Sequence, residues 1–94
     1  MIIAVAVLGA NVMTTVEIEY CVPCGLLDPA VETQRELLET FGRGLDGVRL
    51  KTGHGGVFRV AVGDELVFDK AEHGNEIDLD LIVEEVDSRV AADA

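Results

Sequence analysis

Two cysteines three positions apart, Cys21-Val22-Pro23-Cys24, are the residues of this chain whose type and spacing carry the most chemistry. At that spacing one sulfur reaches a mixed disulfide formed by the other, so the pair can cycle between dithiol and disulfide. Where a helix begins just beyond such a pair, its unpaired N–H groups and partial positive charge favour thiolate. That brings a nucleophile toward neutral pH from a free-thiol pKa of ~8.5. Pro23 fixes its own φ and lacks an N–H, which stiffens the turn between the sulfurs.

Two other readings compete for the cysteines. They are small enough to be inert core residues. They also have the form of one zinc knuckle, Cys-Val-Pro-Cys-Gly, but a structural zinc site takes four ligands. The other candidate ligands are His54 and His73, which lie far apart and form no ligand pair. His54 stands between glycines ahead of a strand. It reads as a solvated loop residue, or as a group that stabilises a thiolate or moves its proton if the loop faces the sulfurs. Gly55 and Gly56 beside it would let backbone approach the sulfurs closely. The glycine cluster does not lead into a helix, so a phosphate cradle is a weak reading. His73 belongs to a surface turn. Asp78, Asp80, Glu84, Glu85 and Asp87 read as the solvated face of an acidic helix.

The elements that must position the cysteines follow from periodicity. Val16, Ile18 and Tyr20 alternate with Glu17 and Glu19, which makes a strand running straight into the motif. Leu27, Ala30, Val31, Gln34, Leu37, Leu38 and Phe41 then fall at helical spacing, and Gly42 and Gly44 end the run. The start of that helix has two solutions: Asp28 as cap with Pro29 first, or an origin near Cys24. Strands follow at 48–51, 57–62 and 65–69, the last two joined by the tight turn Gly63-Asp64. Phe58, Val60, Val62, Leu66 and Phe68 are expected inward. Asp78 caps a closing helix striped by Leu79, Ile82, Val83, Val86 and Val90. The order β-α-β-β-β-α predicts an α/β fold, with a small mixed sheet of four strands and two helices.

The chain has 94 residues, with room for one domain, expected over residues 14–92. Its formal net charge of −11 repels phosphate backbones and anionic headgroups, which excludes nucleic acid and membrane surfaces as expected partners. Lysines occur only at 51 and 70, and acidic residues number 18 against 7 basic ones. Such a balance suits proteins of extreme halophiles, where salt screens the self-repulsion. The first 13 residues carry no charge. They lack the positive start of a signal peptide, and Glu17 interrupts the run before a membrane span is complete. They read as an extra edge strand or as a translated leader with the start at Met13; the clean onset of the pattern at Thr14 favours the leader.

Taken together, Val16-Glu17-Ile18-Glu19-Tyr20, Cys21-Val22-Pro23-Cys24, Gln34-Arg35-Glu36-Leu37-Leu38, Gly55-Gly56-Val57-Phe58-Arg59-Val60 and Leu66-Val67-Phe68-Asp69-Lys70 resemble the Rdx family, the selenoprotein W/T/H group. The resemblance covers about residues 14–90. It implies a thioredoxin-like fold and a thiol–disulfide oxidoreductase, with Cys21 and Cys24 as a redox-active disulfide and no metal or organic cofactor. The partner would be a protein or a low-molecular-weight thiol or disulfide in a reducing cytoplasm. Members often carry selenocysteine at the position of Cys24, which here would be a slower nucleophile. Helix geometry instead favours Cys21 as the exposed attacking sulfur and Cys24 as the resolving one. A non-catalytic redox-sensing or zinc-stabilised interaction module is the alternative.

Overall fold

A computed structural model describes residues 14–93; the leader-or-edge-strand reading of residues 1–13 lies outside the described residues. The elements are β1 (Thr15–Cys21), α1 (Leu27–Phe41), β2 (Gly47–Gly53), β3 (Phe58–Val62), β4 (Glu65–Asp69) and α2 (Leu79–Asp93). Short 3-10 turns cover Gly42–Gly44 and Lys70–His73. The four strands form one mixed sheet in the order β2-β1-β3-β4. β1 runs parallel to β2 and antiparallel to β3, and β3 and β4 are antiparallel. This is the expected thioredoxin-like α/β architecture.

Alternation along β1 decides the layers. Val16, Ile18 and Tyr20 are buried against the helices, together with Phe58, Val60 and Phe68 from the neighbouring strands. Ala30 and Leu37 of α1 and Ile82 and Val86 of α2 close the same core. The other sheet face is polar. Arg49 pairs with Glu17 at 3.0 Å, and Arg59 bridges Glu19 at 3.9 Å and Asp69 at 3.4 Å. Half-exposed pairs of this kind contribute at most about 1 kcal/mol each, so that face orders cross-strand neighbours more than it stabilises them.

Three local expectations are corrected. α1 begins at Leu27, between the two predicted starts; Asp28 sits in its first turn and Leu26 caps it with no side-chain hydrogen bond. Its buried side is Ala30, Thr33 and Leu37, while Leu27, Val31 and Leu38 of the predicted apolar stripe are exposed. Thr33 is tolerated inside because its hydroxyl donates to the Pro29 carbonyl at 2.8 Å, the carbonyl four residues back. Leu66 does not point inward. A register irregularity between Val60 and Ala61 pairs Val60 with Phe68 but Ala61 with Leu66, so Val67 is the extra residue. One extra residue flips the pleat, which leaves Leu66 52% exposed and packs Val67 on the core instead. The cap of α2 is as expected: Asp78 accepts from the Leu81 N–H at 3.1 Å.

Candidate active site

β1 is flanked by strands on both sides, and its last residue is Cys21, in register with Gly53 of β2. The Cys21 N–H donates to the Val57 carbonyl at 2.8 Å, and the Val22 N–H donates to the Gly53 carbonyl at 3.2 Å. The chain then turns. The Gly25 N–H donates to the Val22 carbonyl at 3.2 Å and the Leu26 N–H to the Cys21 carbonyl at 3.3 Å. Gly25 has φ of +77°, a conformation glycine adopts without penalty. The turn delivers Cys24 back to the strand end, where its sulfur is bonded to that of Cys21 with the Cα atoms 5.4 Å apart.

The two sulfurs have unlike surroundings. Cys21 is 0% exposed, whereas Val22, Pro23, Cys24 and Gly25 are all exposed. The expectation that Cys21 is the exposed sulfur and Cys24 the sheltered one is therefore reversed. That expectation took the pair as belonging to a helix end. In the fold, Cys21 belongs to an interior strand and Cys24 to a turn that ends before the helix starts.

The loop His54–Val57 does lie against the motif, through backbone. Its flanks, Gly53 and Val57, supply the two carbonyls that hold Cys21 and Val22. His54 is exposed, and no side-chain contact ties it to either cysteine among the described residues. Gly55 and Gly56 have φ of +75° and +80°, and a Cβ on either would meet open space. They serve the turn, not the close approach expected of them. That role falls to Gly53, which periodicity did not single out. A Cβ there would lie 2.8 Å from Val57 Cγ1 and 3.0 Å from Glu19 Oε2. Its importance rests on register across two strands, which spacing along one strand does not reveal. His73 stacks on Phe68 with ring centroids 4.7 Å apart. Among the described residues no three His, Cys, Asp or Glu side chains converge as a metal site requires.

Comparison with known proteins places this arrangement. The Rdx family model matches residues 15–88, from the first residue of β1 into α2. The chain belongs to the Rdx family. A solved structure from Bordetella parapertussis superposes with a TM-score of 0.76 at 32% identity, covering 81% of this chain and 96% of that one. A selenoprotein W-related protein from Vibrio cholerae superposes with a TM-score of 0.78 at 22% identity, covering 83% of this chain and 98% of that one. The second likeness is one of fold. The search of curated proteins returns no match. In this Rdx chain Cys21 and Cys24, within the matched residues, are joined as a disulfide.

Proposed function

We propose that this Rdx protein is a thiol–disulfide oxidoreductase in which Cys24 attacks and Cys21 resolves. The observation that carries the reading is the unequal exposure of the two bonded cysteines: Cys24 is an exposed residue and Cys21 is fully buried, which favours approach of a partner to Cys24. In the reduced protein the Cys24 thiolate attacks one sulfur of a partner disulfide. The partner's S–S bond breaks, a Cys24–partner disulfide forms, and the other partner sulfur leaves as thiolate. Cys21 then loses its proton and attacks Cys24 Sγ, closing the Cys21–Cys24 disulfide and releasing the second partner thiol. Two electrons have passed to the partner, and an external thiol or dithiol reductant returns the protein to the dithiol by the reverse exchange. The positive end of α1 has no side-chain cap to neutralise it and supports negative charge on nearby sulfur, partly opposed by Asp28 in the first turn. His54 is available in the adjoining loop for proton exchange with solvent rather than for contact with sulfur.

A reducing cytoplasm and a salt-rich cell suit this chemistry and the acidic surface. A reducing compartment keeps an exposed thiol available for turnover, and high salt screens the net charge of −11. Among the described residues no helix is long and apolar enough to cross a membrane.

The test is alkylation by iodoacetamide at pH 7 of reduced Cys21→Ser, which keeps Cys24, and of reduced Cys24→Ser, which keeps Cys21. The Cys21→Ser protein is expected to react at least about tenfold faster, because reactivity follows thiolate character and access. Equal rates, or faster reaction of the Cys24→Ser protein, would overturn the assignment.

A further inference from the structure

Exposed apolar side chains occur in the reactive turn and in a row along α1, the helix that follows it. Val22 is 49% exposed, and on α1 Leu27, Val31 and Leu38 are 48%, 43% and 42% exposed. Positions 27, 31 and 38 fall on one line of a helix with 3.6 residues per turn, and they span about 16 Å at 1.5 Å per residue. The row is off the buried side of α1, which is Ala30, Thr33 and Leu37. It flanks the edge strand β2, to which α1 is tied by the Gln34 side-chain amide donating to the Val48 carbonyl at 2.7 Å. Its outer border is charged and mostly acidic: Asp28, Glu32 and Glu39, with Arg35 among them, are all exposed.

The core does not require these side chains, since about half of each remains in water. A contiguous apolar row rimmed by charge marks an interaction surface. Three occupants compete. A low-molecular-weight thiol covers one sulfur and its immediate neighbours and leaves a row of this length unused. Carboxylate-bearing small thiols are also repelled by a chain of net charge −11. A second copy brings the same charge, and a two-fold contact along this row sets one acidic border against its like. A protein surface that is apolar at its centre and basic at its margin matches both features.

We propose that the substrate of this site is a protein disulfide, one of whose cysteines is set in an apolar surface with a basic border. It docks along Val22, Leu27, Val31 and Leu38 as its sulfur meets Cys24. The inference rests on the reading of Cys24 as the attacking sulfur.

The experiment follows release of thionitrobenzoate from three activated probes by the reduced full-length chain. One is a cysteine peptide flanked by leucines and lysines, one is the same peptide with serines and glutamates, and one is the glutathione mixed disulfide. The leucine–lysine peptide is expected to react at least about tenfold faster than the other two, the factor that burying one to two apolar side chains supplies. A Leu27→Ser/Leu38→Ser protein should lose that advantage while its rates with glutathione and iodoacetamide stay unchanged. Raising salt should cut the leucine–lysine peptide's lead by its charge-dependent part only. Equal rates for the three probes, or an equal loss on all of them in the double variant, would overturn the proposal. So would a dimer in sedimentation that the double variant dissociates, which assigns the row to a second copy. A large fall in melting temperature of the double variant would also overturn it, by showing that this chain covers the row itself. Failure of the underlying reading looks different: Cys24→Ser would then keep its reactivity toward the glutathione probe.

Discussion

Gly53→Ala tests how the reactive turn is held. The added methyl carbon would sit 2.8 Å from Val57 Cγ1, 3.0 Å from Glu19 Oε2 and 3.1 Å from Glu19 Cγ. Glu19 is a flexible side chain on the open face and can swing aside, at the expense of its 3.9 Å pairing with Arg59. Val57 has no such freedom, because a β-branched side chain is stiff at χ1. Its own carbonyl holds the Cys21 N–H at 2.8 Å. Relief of the contact therefore moves the Val57 backbone and stretches that hydrogen bond. Overpacking of this kind costs about 1–3 kcal/mol, and weakening the buried hydrogen bond adds up to about 1 kcal/mol. For a domain of this size the expected fall in melting temperature is about 5–20 °C. Denaturant titration of Gly53→Ala, Val57→Ala and the double variant measures the loss of stability, and thermal unfolding measures the shift in melting temperature. Trimming Val57 removes Cγ1, so the double variant should recover about 1 kcal/mol or more relative to the sum of the singles. A Gly53→Ala protein as stable as the parent, or a double variant that is simply additive, would refute the contact as the cause.

Three further outcomes are expected. Leu66→Ser should change stability by no more than about 0.5 kcal/mol, whereas Phe68→Ala should lose about 3–5 kcal/mol; a comparable loss for both would remove the irregularity in β4. The melting temperature should rise between about 0.1 M and 1 M salt as the Debye length falls from ~10 Å to ~3 Å, and a flat response would count against adaptation to high salt. Hydrogen bonding to Arg89, aided by its charge, holds the Glu65 carboxyl below its ordinary range, so the pair stabilises the fold above the unfolded carboxylate pKa of about 4.3 and the gain is lost as pH falls through the lowered folded value. Glu65→Gln should therefore make acid unfolding slightly shallower, slightly because Glu65 is exposed; a steeper acid transition in the variant would contradict the sign.

The sequence disclosed periodic features and concealed those that arise between strands. The alternation of Val16, Ile18 and Tyr20, the cap at Asp78, the Gly63-Asp64 turn and the position of the cysteine pair after a strand were all legible, because each is a local pattern with a local cause. Leu66 was misread because a strand with one extra residue still alternates in sequence while its pleat reverses in space. The face of α1 is read too broadly: its stripe holds the buried Ala30 and Leu37 alongside the exposed Leu27, Val31 and Leu38, and it omits the buried Thr33. Only packing on β1 and β2 separates the buried from the exposed, and a threonine satisfied by the Pro29 carbonyl carries no apolar signal. Gly53 escaped because its constraint comes from Val57 and Glu19, four residues ahead and one strand across.

The unequal exposure of the sulfurs follows from the same topology. β1 is an interior strand, so a residue at its end has neighbours on both sides, Gly53 on one and Val57 on the other. The second cysteine falls in the turn the chain makes to lay α1 back over the sheet, and a turn between strand and helix stays at the surface because its backbone needs solvent or capping partners. Cys21 is pinned through its amide at 2.8 Å, while Cys24 sits on a segment shaped by Gly25 in a left-handed conformation. In the proposed cycle the pinned sulfur is the one that resolves. A fixed resolving thiol needs only the exposed sulfur to come back to it, and the turn already returns that sulfur to bonding distance. Exchanging the roles would require a partner to reach into the sheet end between Gly53 and Val57, and so to break the hydrogen bonds that hold the motif in place.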